Sequence, residues 1–318
     1  MRAASLVAGL FLVASALPVL AQTSECAGYV SNTRRVCAAA VDGTRAFHPV
    51  IGVLISGGNP TIGSAAALGG PGHASVTLRA NAVELVLPEL TYDGSSTAVA
   101  AGDKFWAPAP LVEGAVGIYK GMGSGLLAID LLGSAQLLPT DQIDNMTVDA
   151  EARKIGDIAL GLGYGARIGL LREMGPLPAV SVSVMRRDIP QISYGDVSGG
   201  DRFSYAVDLQ ATNLRLVASK KLLVFDMAGG LGWDKYTGDA VIRFRDPVSG
   251  LTQPPVPVEL ENTRMLGFLN AGMSLSVMRL TAEVGYQGGK DQELTTEFED
   301  FDTTKGKFFA GLGLRVGF

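Results

Sequence analysis

The chain has 318 residues, of which 47% are hydrophobic and 41 are glycine, and its formal net charge is −5. This acidic balance excludes the clustered basic face that nucleic-acid binding requires, so we expect no nucleic-acid partner. After the first 21 residues, no stretch supplies the roughly 18 to 20 unbroken apolar residues of a membrane-spanning helix. A hydrophobic, glycine-rich chain without such a helix favours a β-barrel, in which apolar residues occupy alternate positions.

The beginning of the chain has the pattern of a secretory signal. Arg2 precedes an apolar run over residues 6–13, and the small-residue pattern VLA comes directly before Gln22. A charged start, an apolar centre and a small-residue end are typical of a signal peptide that is cleaved after export. We therefore predict that residues 1–21 are removed and that the mature chain is exported.

Alternation of apolar residues with small or polar ones marks the carboxyl end, KFFAGLGLRVGF. Successive side chains of a strand point to opposite faces, so one face of this strand is apolar and the other is glycine-rich or charged. The same alternation recurs in GDIALGLGYGARIGLL, LLVFDMAGGLGWD and LTAEVGYQ. Segments of about 9 to 11 residues or more with this pattern are typical of strands that cross a membrane with their apolar side chains outward.

Ten strands of this kind are predicted, near residues 74–88, 111–120, 124–138, 156–172, 178–188, 202–218, 222–235, 258–274, 277–288 and 305–318. Their connections alternate between short turns and long loops, as in bacterial outer-membrane barrels, whose short turns face the periplasm. We therefore predict an all-β fold, a transmembrane antiparallel β-barrel of about ten strands over residues 73–318, with both barrel ends in the periplasm. Twelve strands is the main alternative, because residues 236–257 could add a hairpin and residues 48–56 a strand.

The segment before the barrel, residues 22–72, has helical and then glycine- and proline-rich character, which predicts a plug or a periplasmic segment. It contains the only two cysteines, Cys26 and Cys37. We expect them to form a disulfide because the compartment is oxidising. One continuous helix would place them about 16 Å apart, beyond disulfide reach, so the helix must break between them, near Ser31-Asn32.

The carboxyl end resembles the terminal strand of Gram-negative outer-membrane barrels, in which an aromatic last residue and alternating apolar residues are recognised by the barrel-assembly machinery. Phe318, Val316, Leu314 and Leu312 carry this resemblance. It implies residence in the bacterial outer membrane. The partners implied are outer-membrane lipid, lipopolysaccharide, periplasmic chaperones and the assembly machinery.

A second resemblance lies in SGGNPTIGSAAALGG, which is followed by the strand HASVTLRAN. It is similar to the amino-terminal hatch of outer-membrane long-chain fatty-acid transporters, where an Asn-Pro motif folds into the barrel ahead of the first strand. Asn59, Pro60 and Gly63 carry the match, and Thr61 departs from it because the family has Ala there. The chain is also shorter than those fourteen-stranded transporters. The alternative is a linker rich in Gly, Pro and Ala.

Catalytic function can be tested against two families of barrel enzymes. Outer-membrane proteases and phospholipases use a His as general base, the side chain whose pKa suits proton transfer near neutral pH. The chain has only His48 and His73, and both precede or begin the first strand, at the end predicted to face the periplasm. We therefore predict no enzymatic activity, no cofactor and no metal site. The acidic loop at residues 291–302 is expected to be solvated rather than to hold Ca²⁺.

Charged residues of both signs are predicted to point into the lumen. They are Arg79, Glu113, Asp130, Asp157, Arg167, Asp208, Arg215, Asp226, Glu283 and Arg315. Opposite charges in such an interior are expected to pair. They either form a network that fills and rigidifies a narrow barrel, or line a polar path that inward glycines widen.

The function predicted from these features is a narrow or plugged conduit for small or lipophilic molecules. Side chains fill barrels of about eight strands, and barrels of about sixteen leave a channel, so ten or twelve strands lie between these cases. The alternative is a non-transporting barrel with a structural or surface-interaction role, such as an adhesin.

Overall fold

The computed structural model describes residues 24–318 apart from 124–125, 140–145, 150–151 and 156–157. The predicted signal peptide, residues 1–21, and one predicted lumen residue, Asp157, lie outside the described residues. No helix in the described part of the chain is both long enough and apolar enough to cross a membrane.

Ten antiparallel strands form a closed β-barrel, which confirms the predicted fold class. They are β1 (Ala74–Pro88), β2 (Ala101–Tyr119), β3 (Ala128–Pro139), β4 (Ile158–Leu171), β5 (Ala179–Tyr194), β6 (Phe203–Leu222), β7 (Phe225–Phe244), β8 (Val256–Leu275), β9 (Met278–Gln287) and β10 (Lys307–Gly317). Each strand pairs with its neighbours in this order, and β10 closes the barrel by pairing with β1. The backbones of Ala74 and Phe318 continue that pairing to the last residue. Closure satisfies the backbone groups of both edge strands, as a strand in lipid requires.

The outer face of the barrel carries an apolar belt. On β10, for example, Leu312 and Leu314 are exposed on the outside while the alternate Gly313 is buried. One edge of the belt is marked by exposed aromatic side chains of several strands, namely Trp106, Tyr164, Trp233, Tyr286 and Phe308. Past Trp233, towards the long loops, the outer face of the barrel carries charged residues such as Lys235 and Glu261 in place of apolar ones. An apolar band about 25 Å tall with aromatic residues at its edges is the surface of a barrel that faces lipid.

The connections sort into two classes, one at each end of the barrel. At the short-turn end, residues 120–127, 172–178, 223–224 and 276–277 join the strands, and here β1 begins and β10 ends. At the long-loop end, the connections are residues 89–100, 140–157, 195–202, 245–255 and 288–306. The described parts of these long loops contain the short strands Ala98–Val99, Met146–Val148, Lys154–Ile155 and Glu297–Phe298.

Two of the predicted alternatives for additional strands are not realised. Residues 236–244 extend β7 past the apolar belt, residues 245–255 form the loop and residues 256–257 begin β8, so no separate hairpin is added to the wall. Residues 48–56 are helical. The closed barrel therefore has the ten strands of the main prediction, and the short strands Met146–Val148 and Lys154–Ile155 pair onto the same sheet within a long loop.

The amino-terminal segment begins with a short 3₁₀ helix, Ser24–Cys26, and continues into the helix α1, Ser31–Ser56. Cys26 and Cys37 form the predicted disulfide, with their Cα atoms 5.9 Å apart. The chain breaks between the two helices over residues 27–30, so the predicted interruption near Ser31 is confirmed. The break is needed because the two cysteines could not meet along one continuous helix.

Helix α1 lies inside the barrel and runs from the long-loop end towards the short-turn end. Near its start, Arg35 donates a hydrogen bond to the carbonyl of Gly94, in the long loop after β1, at 3.0 Å. At its last residue, the Ser56 hydroxyl accepts a hydrogen bond from Asn213 of β6 at 3.1 Å, deep in the barrel. The first described residues therefore lie at the long-loop end, opposite to the end where β1 starts.

The loops after β1 and β9 close over the start of α1 and form a cap. The ring of Phe47 packs against Phe301 of the last loop with centroids 5.0 Å apart, and Tyr29 packs edge-on against Phe244 at the end of β7 at 5.0 Å. Val41 and other helix residues are buried on all sides in this region. A helix that is buried all round, instead of along one stripe, is typical of the centre of a protein.

Candidate functional site: the plugged lumen

The chain that follows α1, residues 57–68, crosses the interior of the barrel and is called the lumen segment below. Gly57 ends α1 with φ of +59°, and Gly63 has φ of +79°. Glycine adopts these left-handed conformations without strain, whereas other residues do so at a cost. A Cβ on Gly57 would also overlap the guanidinium of Arg79. Glycine therefore allows the main chain to turn and to approach the wall closely at this point.

Glu283 of β9 is the main acceptor for the lumen segment. Its carboxylate accepts hydrogen bonds from the backbone N–H groups of Gly58 and Asn59, at 2.9 and 2.8 Å, and it pairs with Arg79 of β1. Arg79 donates to the Asn59 carbonyl at 2.6 Å and lies 3.5 Å from Glu113 of β2. The three charged side chains are buried. One ion pair thus binds both the N–H and the C=O groups of the lumen segment through charge-assisted hydrogen bonds.

Arg215 of β6 binds the same stretch from another part of the wall. It donates to the carbonyls of Gly58 and Gly57, at 2.7 and 3.0 Å, and these carbonyls lie at the end of α1, where partners within the helix are missing. Asp234 of β7 pairs with Arg215 at 2.5 Å and accepts the hydroxyl of Tyr236 at 2.7 Å. The cation thereby complements the negative end of the helix dipole.

Arg167 of β4 and Asp130 of β3 bind the rest of the lumen segment. The two side chains form a buried ion pair at 2.6 Å. Arg167 also donates to the Thr61 hydroxyl at 2.6 Å, and the Asp130 carboxylate accepts the backbone N–H of Leu68 at 3.2 Å. Charges from five strands, β1, β4, β3, β6 and β9, therefore meet the lumen segment directly.

The hatch-like residues Asn59, Pro60 and Gly63 are all buried in the lumen segment. The side-chain oxygen of Asn270, on β8, accepts hydrogen bonds from the Asn59 amide at 3.2 Å and from the Gly63 N–H at 2.9 Å. The Asn59 side-chain oxygen accepts the backbone N–H of Thr61 at 3.1 Å. The motif therefore forms a compact turn that is hydrogen-bonded to the barrel wall.

Two further residues of the predicted lumen set lie nearer the short-turn end. Asp226 of β7 is buried, lies 3.0 Å from Arg279 and accepts the Ser274 hydroxyl at 2.7 Å. Arg315 of β10 is buried, and its Nη1 atom has no hydrogen-bond partner among the described residues.

The prediction that Asp208 points into the lumen is wrong. Along β6, Leu209, Ala211 and Arg215 are buried and share the inward face. Asp208 has the opposite parity, so the two-residue period of the strand turns it to the outer face. There it accepts the backbone N–H of Asp239 at 2.6 Å, beyond the apolar belt.

Sequence reasoning missed several members of the lumen network. Asp234 shares the parity of Asp226 along β7, and Arg187 lies on the inward face within the predicted strand 178–188, so alternation could have identified both. Arg187 lies 3.1 Å from Glu113 and also binds Asn213 of β6. No sequence signal identifies the uncharged member Asn213, because a polar amide at an inward position carries no charge pattern.

The inward glycines make room for neighbouring side chains. A Cβ at Gly232 would lie 2.7 Å from the Arg215 guanidinium, and one at Gly313 would lie 2.8 Å from Ile62 of the lumen segment. A Cβ closer than 3.0 Å to a neighbouring atom would force that atom to move. The side chains of Arg215 and Ile62 therefore already fill the space next to the backbone of these two glycines. At these two positions the glycines therefore do not widen an open path.

Two titratable residues of α1 lie towards the long-loop end, past the aromatic edge of the belt. Asp42 accepts hydrogen bonds from the N–H groups of Thr295 and Thr296, at 2.9 and 2.8 Å, and burial nevertheless raises its pKa. His48 packs edge-on against Tyr236, and burial lowers its pKa to about 4. The expectation that His48 lies at the short-turn end is therefore wrong, because α1 enters the barrel from the opposite end.

A cavity of about 710 Å³ lies at the short-turn end, between the exit of the lumen segment and the turns after β2 and β4, and is called the vestibule below. Cavities of about 270 and 230 Å³ lie beside α1 at the long-loop end. Across the described residues, no group of three or more His, Cys, Asp or Glu side chains is arranged to hold a metal ion.

The carboxyl-terminal residues lie on the outer surface. Leu312 and Leu314 are exposed within the apolar belt, Val316 is partly exposed and Phe318 is exposed. Phe318 lies at the short-turn end, where its backbone pairs with Ala74.

Comparisons with known proteins identify no family for this chain. No model of a known protein family matches it, and no curated protein sequence matches it. Among solved structures, the translocator domain of autotransporter NalP from Neisseria meningitidis has a TM-score of 0.42 at 11% identity, covering 88% of this chain and 99% of that one. Outer membrane protease OmpT from Escherichia coli has a TM-score of 0.38 at 12% identity, covering 77% and 96%. The amino-terminal β-barrel domain of OprF from Pseudomonas aeruginosa has a TM-score of 0.29 at 10% identity, covering 78% and 99%.

Proposed function

We propose that this protein is a plugged conduit of the bacterial outer membrane that passes small molecules when its lumen segment is displaced or loosened. The observation that carries the proposal is the way in which the lumen segment is held. Its main chain is bound by hydrogen bonds to buried charges of the wall, including Glu283, Arg79 and Arg215. Polar contacts of this kind can be exchanged for water, whereas a lumen filled by interlocking apolar side chains offers no such exchange.

The location and the orientation belong to the same proposal. The apolar belt fits lipid, and the short-turn end is proposed to face the periplasm, as in bacterial barrels of this architecture. The cap and the start of α1 are then at the cell surface. The terminal strand with Phe318 is proposed to be the signal for the barrel-assembly machinery, after delivery by periplasmic chaperones, and the cap is proposed to lie among lipopolysaccharide.

A matched pair of cysteine variants tests this orientation. Val30, at the start of α1, and Met122, in the turn after β2, are both exposed apolar residues at opposite ends of the barrel. In intact cells, a membrane-impermeant thiol reagent should label Val30→Cys and not Met122→Cys, and permeabilised cells should allow both to be labelled. Labelling of Met122→Cys alone in intact cells would show that the orientation is the opposite of the proposed one.

A non-transporting surface role is the second candidate, and the packing of the cap favours it. Loops after β1 and β9 pair through Ala98–Val99 and Glu297–Phe298, and Asp42 of α1 ties the latter loop to the plug. A fixed surface of this kind would suit an interaction partner outside the cell. We propose no catalytic role for either candidate.

Conductance in planar lipid bilayers, together with solute uptake by liposomes, tests the conduit directly. Wild-type protein should be closed for most of the time, and Glu283→Gln should raise the open probability because it weakens the hold on Gly58 and Asn59. Glu261→Gln is the matched control, since Glu261 forms an exposed ion pair with Lys235 on the outer face. If neither wild type nor Glu283→Gln conducts and liposomes take up no solute, the conduit is refuted and the surface role stands.

A further inference from the structure

We propose that solutes cross the barrel between the lumen segment and the wall formed by β2 to β5, and that Leu68, Leu132 and Met185 close this route above the vestibule. This inference rests on the proposed conduit and names the path and the kind of solute. The path takes small polar solutes, because its middle section is lined by an ion pair and an amide.

The plug lies to one side of the barrel. Helix α1 packs mainly against β6 and β7, with further contacts to β1 and β8. On the side of β3, β4 and β5, Ile51 and Ile55 of α1 pack with Ile189 of β5 towards the long-loop end. Nearer the vestibule, the interior is filled by side chains of the wall and by the end of the lumen segment. Side chains can change rotamer without unfolding a helix, so this side offers the smaller barrier to passage.

The vestibule opens on the same side. Its lining includes Ala66 and Leu68 of the lumen segment, Lys120 after β2, Ala128 of β3 and Arg172 after β4. At about 710 Å³, it is large enough for a small organic molecule. A solute in this cavity would lie directly below the proposed route.

Leu68 forms the boundary between the vestibule and the interior. It lines the cavity and is only partly buried, and it packs against a small apolar cluster of Ala115, Leu132 and Met185. The cluster spans β2, β3 and β5, so it closes the route across its width. An apolar constriction of this kind excludes water until a side chain moves.

Above the cluster, the route becomes polar. Glu113 and Arg187 pair at 3.1 Å, and Gln136 of β3 lies on the same wall. The Gln136 Oε1 and Arg187 Nε atoms are buried without a hydrogen-bond partner among the described residues. Buried polar atoms are normally satisfied by protein or by ordered water. These two atoms therefore mark places where water, or a polar solute that replaces water, can bind.

Two leucine variants on opposite sides of the lumen test the route. Leu132→Ala removes the constriction on the β3 side, and Leu266→Ala makes the same deletion at a buried inward position of β8, next to the α1 side. We expect Leu132→Ala to raise bilayer conductance and liposome uptake of small sugars or amino acids at least fivefold over wild type. Leu266→Ala should change both by less than twofold. Equal effects of the two deletions would overturn the inference.

Thiol accessibility provides a second measurement that does not depend on a variant being open. A small thiol reagent added from the vestibule side should modify Met185→Cys at least tenfold faster than Val217→Cys, a buried inward position of β6. If Glu283→Gln conducts while Leu132→Ala stays closed and Met185→Cys is unreactive, the route is wrong and the conduit stands. If no variant conducts or takes up solute, the conduit itself is refuted.

Discussion

Replacing Glu283 by Gln should release the lumen segment from its strongest contact with the wall. Glu283 is fully buried in an ion pair with Arg79, and it also accepts the N–H groups of Gly58 and Asn59 and the amide of Asn270 at 2.8 Å. Gln keeps the size of the side chain and one acceptor oxygen. It removes the charge and replaces the second acceptor by a donor, so one acceptor is lost and Arg79 loses its closest counter-ion.

The expected cost follows from the burial of this pair. Removing one partner of a buried ion pair costs about 3 to 5 kcal/mol, because the other charge remains buried without compensation. Arg79 keeps Glu113 at 3.5 Å, which places the effect near the lower end, about 3 kcal/mol. Since each 1.4 kcal/mol is a factor of ten, the docking equilibrium should shift by roughly 150-fold.

Two assays measure this shift. Hydrogen exchange of the Gly58 and Asn59 amides in the lipid-embedded protein should accelerate by about two orders of magnitude, and urea unfolding in vesicles should lose about 3 kcal/mol. Glu261→Gln removes the same charge from a pair with Lys235 in which Glu261 is 65% exposed. That control should lose at most about 1 kcal/mol.

A loss of less than about 1 kcal/mol for Glu283→Gln, or an equal loss for Glu261→Gln, would show that the buried Glu283–Arg79 pair does not hold the lumen segment. The double variant with Arg79→Gln provides an internal check. Because it removes the orphaned charge, it should be less destabilised than the sum of the two single variants. Additive losses would mean that the pair is not coupled as its geometry indicates.

Three further predictions concern other parts of the chain. Replacing Cys26 and Cys37 by Ser should destabilise the outer end of the plug by about 3 kcal/mol, because the bridge closes a loop with a separation of 11 residues; unchanged hydrogen exchange of the first turn of α1 would contradict this. For His48, the folded pKa of about 4 lies below its unfolded value of 6.5, so its contribution is present above pH 6.5 and is lost as the pH falls towards 4. Unfolding experiments should show wild type losing about 2 kcal/mol more than His48→Gln between pH 7.5 and pH 5; parallel pH profiles would show that His48 is not the cause. Deleting Phe318 should lower the amount of barrel in the outer membrane while leaving the conductance of each inserted molecule unchanged, and normal membrane levels would count against the proposed assembly signal.

Local patterns in the sequence predicted much of the wall. The two-residue period in β4 and β10 requires no knowledge of the rest of the chain, because the alternation of side chains is a property of each strand. It therefore indicated apolar residues outside, small or charged residues inside, and ten strands with alternating short and long connections. The break before α1 was also predictable, since helix geometry forbids a bridge between Cys26 and Cys37 within one helix.

The amide partners of the plug had no such local signal. The Asn270 side chain accepts a hydrogen bond from Gly63 of the lumen segment. The Asn213 side chain donates one to Ser56 at the end of α1. An inward amide in a strand resembles any other polar residue in the sequence. Its role depends on which backbone group the fold brings opposite to it.

The sequence by itself determined that this chain forms a lipid-facing barrel, because burial against lipid imposes a short-range rule that each strand obeys separately. The tertiary structure decided the direction of the plug and the partners of the charges. Arg79 and Glu283 are 204 residues apart in the sequence. No local pattern predicts that they form an ion pair and that both bind the main chain of Asn59. Likewise, only the path of α1 through the closed barrel places His48 towards the long-loop end. Such contacts depend on closure of the whole barrel around the lumen segment, which is a property of all ten strands together.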